Sequence, residues 1–144
     1  MKMELIVKKV ENGAEYEGKI FDFWVEAETR SKKNLKIFDS LTFDLRGKEF
    51  TKINVLLLAG FIASEGLENS SFQKLYGEVI TEVEFNISAW AKKRNDIFQK
   101  KWLGLKSEDG MYLLSPAEIE EKGIKIGQSI ELNIGRIDLV AIEK

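Results

Sequence analysis

Residues 51–64 read TKINVLLLAGFIAS, and how this run folds decides what the rest of the chain can build. Ile53, Val55, Leu56, Leu57, Leu58, Ala59, Phe61 and Ile62 are too continuous for the alternation of a strand wetted on one face. The run suits a mostly buried helix over about 51–64, which Gly66 would close at its C-terminus.

On either side of it the signal has period two, the mark of strands with one buried and one wet face. Met3 to Val10 leads into Glu11-Asn12-Gly13, read as a hairpin turn because Asn and Gly accept positive φ. From Tyr16 to Glu28, Phe21, Phe23, Val25 and Ala27 share one parity and form the core side. Tyr16, Ile20, Asp22, Trp24, Glu26 and Glu28 share the other. After the polar break Arg30-Ser31-Lys32-Lys33-Asn34, the residues Leu35, Ile37, Leu41, Phe43 and Leu45 give a third strand that Gly47 ends.

Beyond the polar stretch 65–71, Val79, Val83, Phe85, Ile87 and Ala89 give a fourth strand. Phe98 to Leu105 and Met111 to Leu114 supply fifth-strand material around a turn at Glu108-Asp109-Gly110. Ser115-Pro116-Ala117-Glu118 has the form of a helix start, with Ser as N-cap, Pro at the first helical position and Glu completing a capping box. A short helix over about 116–122 should end at Gly123. The final strand shows a parity slip near Gly135, as a bulge would cause.

This order predicts a mostly β chain with minor α: an OB-like antiparallel barrel of five to six strands, the helix at 51–64 plugging one end, in a single domain over 1–144. No internal repeat or linker interrupts it.

Composition narrows the chemistry. With 144 residues, 44% hydrophobic and 32% charged, the chain can bury its own core, and no apolar run reaches the roughly 20 residues that span a bilayer. The start, MKMELIV, lacks a signal-peptide pattern, so the expected location is the cytoplasm. There is no Cys and no His, which excludes disulfides, thiolate and Ser-His-Asp nucleophiles and zinc sites. The glycines are scattered and form no phosphate-binding loop. No cofactor or metal is implied, and a binding protein is expected rather than an enzyme. The enzymatic alternative is a Mg-dependent nuclease using Asp22, Glu26 and Glu28 with Lys32 or Lys33; alternating acids on a wet strand face explain the same residues as surface.

Charge is unevenly placed. Residues 90–106, WAKKRNDIFQKKWLGLK, carry six cations against Asp96 alone, +5 in a chain of net −2, so everything else sums to −7. Trp90, Phe98 and Trp102 lie among Lys92, Lys93, Arg94, Lys100 and Lys101. A cationic track with aromatic faces is what binds single-stranded nucleic acid, each stacked base contributing roughly 1–3 kcal/mol. A second basic cluster, Arg30, Lys32, Lys33 and Lys36, could extend the track, and Trp24 with Tyr16, Ile20 and Phe38 could form a stacking platform. Each has a plainer reading, as a solvated turn and as packed aromatics, and Asp22, Glu26 and Glu28 on the face of Trp24 would repel phosphate.

EVEFNISAWAKKRN and KKWLGLKS, within Glu82 to Ser107, resemble the fourth and fifth strands of phage and bacterial single-stranded-DNA-binding proteins. The resemblance implies that Trp90, Lys92, Lys93, Arg94, Lys100 and Trp102 touch an oligonucleotide, DNA or RNA. Ending in IDLVAIEK, the chain departs from the bacterial members, which carry an acidic tail. The expected function is single-stranded nucleic-acid binding, with no membrane partner and with a homodimer as one way to lengthen the track. The rival is a phage-type or mobile-element interaction or inhibitor module that uses the same surface against a larger protein complex.

Overall fold

The computed structural model describes residues 3–62, 73–81 and 103–143. Their elements are β1 (Met3–Asn12), β2 (Glu15–Tyr16), β3 (Lys19–Ile20), β4 (Phe23–Thr29), β5 (Asn34–Asp39), β6 (Lys52–Ile62), β7 (Gln73–Ile80), β8 (Leu103–Ser107), β9 (Gly110–Leu114), α1 (Pro116–Glu121) and β10 (Ser129–Glu143).

Eight of the strands form one sheet in the order β1-β4-β5-β10-β6-β9-β8-β7, and the further pairings β1–β6 and β10–β7 close it into two rings. The first ring is β1-β4-β5-β10-β6. It is antiparallel except where β10 runs parallel to β5, with Ile137 opposite Ile37. The second ring is β7-β8-β9-β6-β10, antiparallel except where β6 runs parallel to β9, with Leu57 opposite Tyr112. Both rings have the OB-like strand order, and β6 and β10 exchange roles between them. The strand that closes one ring by antiparallel pairing supplies the parallel partner in the other. The connection therefore repeats, although the sequence shows no self-similarity.

This architecture corrects the reading of 51–64. The segment is strand, not helix. β6 is bonded to β1, β10 and β9 and is covered on both faces. Val55, Leu57 and Ala59 join the main core, while Leu56 joins a second cluster with Leu41, Leu113, Val140 and Ala141. A strand buried on both faces has no wet side to alternate with, so it reads as a continuous apolar run. The count of five to six strands falls for the same reason, since two strands serve two barrels.

The parity of Phe23, Val25, Ala27, Leu35 and Ile37 holds, and all five are buried. Phe21 does not join them; it is 45% exposed. The expected turn at Glu11-Asn12-Gly13 is not where the chain reverses. β1 runs on to pair Asn12 with Phe23, and the reversal is at Glu17-Gly18, whose φ values of 50° and 79° suit a two-residue hairpin turn.

The third strand stops at Asp39 rather than continuing to Leu45. The Asp39 carboxylate is fully buried and accepts the N–H groups of Phe43 and Asp44, each at 3.0 Å, while Thr42 and Asp44 take positive φ. The loop still buries Leu41 and Leu45, so strand-like alternation survives without a strand.

The short helix is α1, with Pro116 at its start, but the Ser115 side chain makes no cap bond, so the capping box is not formed. It is fixed at its other end. Gly123 (φ 68°) donates to Glu120 O at 3.0 Å and Ile124 donates to Ile119 O at 3.1 Å, the paired bonds of a Schellman ending, and Ile119 is buried in the main core. In β10 the buried parity changes from Ile130, Leu132 and Ile134 to Ile137 and Leu139, where the strand leaves β7 and meets β5. The register break itself lies between Leu139 and Ala141, not at Gly135. The turn at 108–110 stands as read, joining β8 to β9. Val83 to Ala89 lie outside the described residues.

Candidate functional site

Side-chain contacts join the rings, among them two clamps. The Gln73 amide on β7 takes the place of a strand neighbour beside β5: its Oε1 accepts the Lys36 N–H at 2.9 Å and its Nε2 donates to Lys36 O at 2.8 Å. Asp109, in the β8–β9 turn, binds Ser31, in the β4–β5 turn, through the Ser31 N–H at 2.8 Å and its hydroxyl at 2.6 Å. These clamps bring the basic turn 30–33 of the first ring over the mouth of the second.

A cavity of about 390 Å³ opens there. Leu75, Gly77 and Tyr112 line its barrel side, the hairpin residues Lys106, Ser107, Glu108 and Asp109 form one wall, and Ser129 and Lys33 close over it. Gly77 is required by close approach: a Cβ there would stand 2.5 Å from Lys106 O. Ser107 spends its hydroxyl on the turn, donating to Gly110 O at 2.7 Å. Lys33 Nζ donates to Lys74 O, which holds the amine at the rim. Lys106 pairs in register with Glu78, so an ammonium and a carboxylate flank the opening. Burial, and then the charge of Asp109, push the Tyr112 phenol well above its ordinary range, so it faces the cavity as a neutral hydroxyl. The cavity thus offers two ammonium groups and a neutral phenol; of its three carboxylates, Asp109 is engaged with Ser31.

Of the residues selected from sequence, Trp90, Lys92, Lys93, Arg94, Phe98, Lys100, Lys101 and Trp102 lie outside the described residues. Lys33 reaches the cavity, whereas Lys32 pairs with Glu28 at 3.4 Å. Trp24 is not an open stacking platform. Its ring lies 4.7 Å from that of Phe38, Lys36 Nζ sits 4.9 Å from its centroid, and Arg136 stands 5.0 Å from Phe38. Lys36 therefore occupies a face on which a base would stack.

The nuclease set does not assemble either. Asp22 accepts the Ala14 N–H at 2.7 Å, Glu28 faces Lys32 and Lys8, and among the described residues no group of three or more acids could hold a metal ion. Lys106, Ser129 and Tyr112 were not selected from sequence. Lys106 was visible as the last cation of the basic segment, and Tyr112 as one phenol within an apolar strand.

No protein-family model matches the chain, and no curated protein matches it. Among solved structures, a crystal form of the cytoplasmic molybdate-binding protein ModG with molybdate bound is similar in fold, with a TM-score of 0.50 and 17% identity over 98% of this chain and 95% of that one. The likeness runs through both rings and supports the OB-like barrel architecture. It overturns the expectation of single-stranded nucleic-acid binding and of a phage-type module: the protein sharing this fold along its length binds a small ion, and Lys36 and Arg136 of the chain itself lie over Trp24 and Phe38. Among the described residues no helix is long and apolar enough to cross a membrane.

Proposed function

We propose that this chain is a small-ligand-binding protein, not an enzyme, and that its ligand is an oxyanion or carries an oxyanion group. The observation that carries the reading is the cavity at the mouth of the second ring, where Lys106 and Lys33 meet the Tyr112 phenol and Ser129 in a space of about 390 Å³. That volume lies at the lower end of small-molecule sites, roughly 300–1,000 Å³. Ammonium groups and neutral hydroxyls are donors suited to a compact anion. Glu78 and Glu108 on the rim would accept from a protonated ligand oxygen, such as that of monohydrogen phosphate. The binding of molybdate by ModG supports the ligand class, and a cytoplasmic location accords with such a role.

Titration calorimetry with molybdate, tungstate, sulfate and phosphate tests the reading. The expected result is saturable binding of at least one of these ions, weakened at least tenfold by Lys106→Ala. Heats no greater than dilution for all four would overturn it.

A further inference from the structure

The exchange of β6 and β10 makes a structural demand on the first ring. The large cavity is built from the second ring's first strand, β7, from the turn between its next two, β8 and β9, and from the first residue of β10. The same roles in the first ring belong to β1, the β4–β5 turn and the start of β6. A second cavity, of about 190 Å³, lies at that place. Glu4 comes from β1, Glu28, Arg30 and Lys32 from the β4–β5 turn and its approach, and Lys52 is the first residue of β6. Register brings the walls together: Ile6 stands opposite Lys52 on one side and Glu28 on the other.

The two cavities differ in charge. Three cations, Arg30, Lys32 and Lys52, face two carboxylates here, and Glu28 is already engaged by Lys32 at 3.4 Å and Lys8 at 4.0 Å. The excess is therefore positive, where the larger cavity has one carboxylate more than its two ammonium groups. The β4–β5 turn serves both sites. Arg30 and Lys32 line the small cavity, Lys33 lines the large one, and Ser31 between them is held by Asp109.

We propose that the small cavity is a separate site for a divalent oxyanion, so that one chain carries two anion sites, one at each barrel mouth. The ligand class rests on the function proposed above, while the site rests on its own residues. Because Lys32 is largely exposed, its contribution is screened by salt and affinity falls as ionic strength rises.

The test is calorimetry of the full chain with sodium molybdate and sodium sulfate at low ionic strength. The expected stoichiometry is two per chain. The double variant Arg30→Gln/Lys52→Gln should bind one, Lys52→Arg should retain two, and Lys106→Ala should remove the site that the double variant keeps. Thermal unfolding confirms that each variant is folded, and Lys52→Glu alone serves if the double variant is not. A double variant, or Lys52→Glu, that titrates like the parent overturns the second site and leaves the larger cavity standing. Binding lost in the double variant but untouched by Lys106→Ala supports the second site and overturns the first. No heat with either ion overturns both.

Discussion

Asp109 holds Ser31 with both carboxylate oxygens, Oδ1 on the backbone N–H and Oδ2 on the hydroxyl, across 78 positions of sequence. A carboxylate accepting two bonds in a partly solvated turn contributes about 1–2 kcal/mol. Asp109→Ala should lower unfolding free energy by about that amount in urea titration. It should also weaken anion binding at the large cavity, because Lys33 loses the anchor two residues before it.

Gly77 lies where β7 presses against β8. A methyl group there would meet Lys106 O at 2.5 Å and Lys106 C at 2.9 Å, both backbone atoms with little room to yield. Gly77→Ala should destabilise by about 1–3 kcal/mol, the range for overpacking. Amide exchange should locate the loss at the Val79–Leu105 pairing before it appears elsewhere.

Tyr112 gives a dependence on alkaline pH. Burial raises its folded-state phenol above the ordinary value of 10.0, so above about pH 10 the unfolded chain releases a proton that the folded chain retains. Its contribution to stability is intact below that pH and declines as pH rises, by up to about 1.4 kcal/mol per pH unit. Tyr112→Phe should flatten the fall in melting temperature between pH 9.5 and roughly 11. An unchanged slope would show that the phenol is not the titrating group.

Phe50 is 77% exposed and sits at φ 65°, a region that disfavours bulky side chains, while its N–H donates to Val7 O at 2.7 Å. Phe50→Gly keeps that bond and removes roughly 1–2 kcal/mol of backbone strain, offset by roughly 0.5–1 kcal/mol of added unfolded-state entropy. A net gain of about 0.5 kcal/mol is expected in chemical denaturation.

Elements with one wet face were legible in the sequence. Phe23, Val25, Ala27, Leu35 and Ile37 alternate because one barrel wall covers them, and the 108–110 turn and the helix at Pro116 carry local signals. β6 was not legible, because cover on both faces erases the alternation that separates strand from buried helix. The site was legible only in fragments. Lys33 and Lys106 appear in basic clusters, but their meeting depends on Ser31 and Asp109, which are close only once both rings have closed. A periodicity argument sees one strand at a time, and the cavity is a product of pairing between strands.

The sharing of β6 and β10 resembles a domain swap contained within one polypeptide. The segment ending at β6 carries four strands of the first ring but borrows its fifth from the far end of the chain, and the segment beginning at β7 borrows β6 in return. Cleaved between Ile62 and Gln73, each fragment would keep raw edges where the borrowed strand belongs, an invitation to aggregate. Mixed together, each fragment would supply the strand the other lacks, and the two would reassemble as a complementing pair.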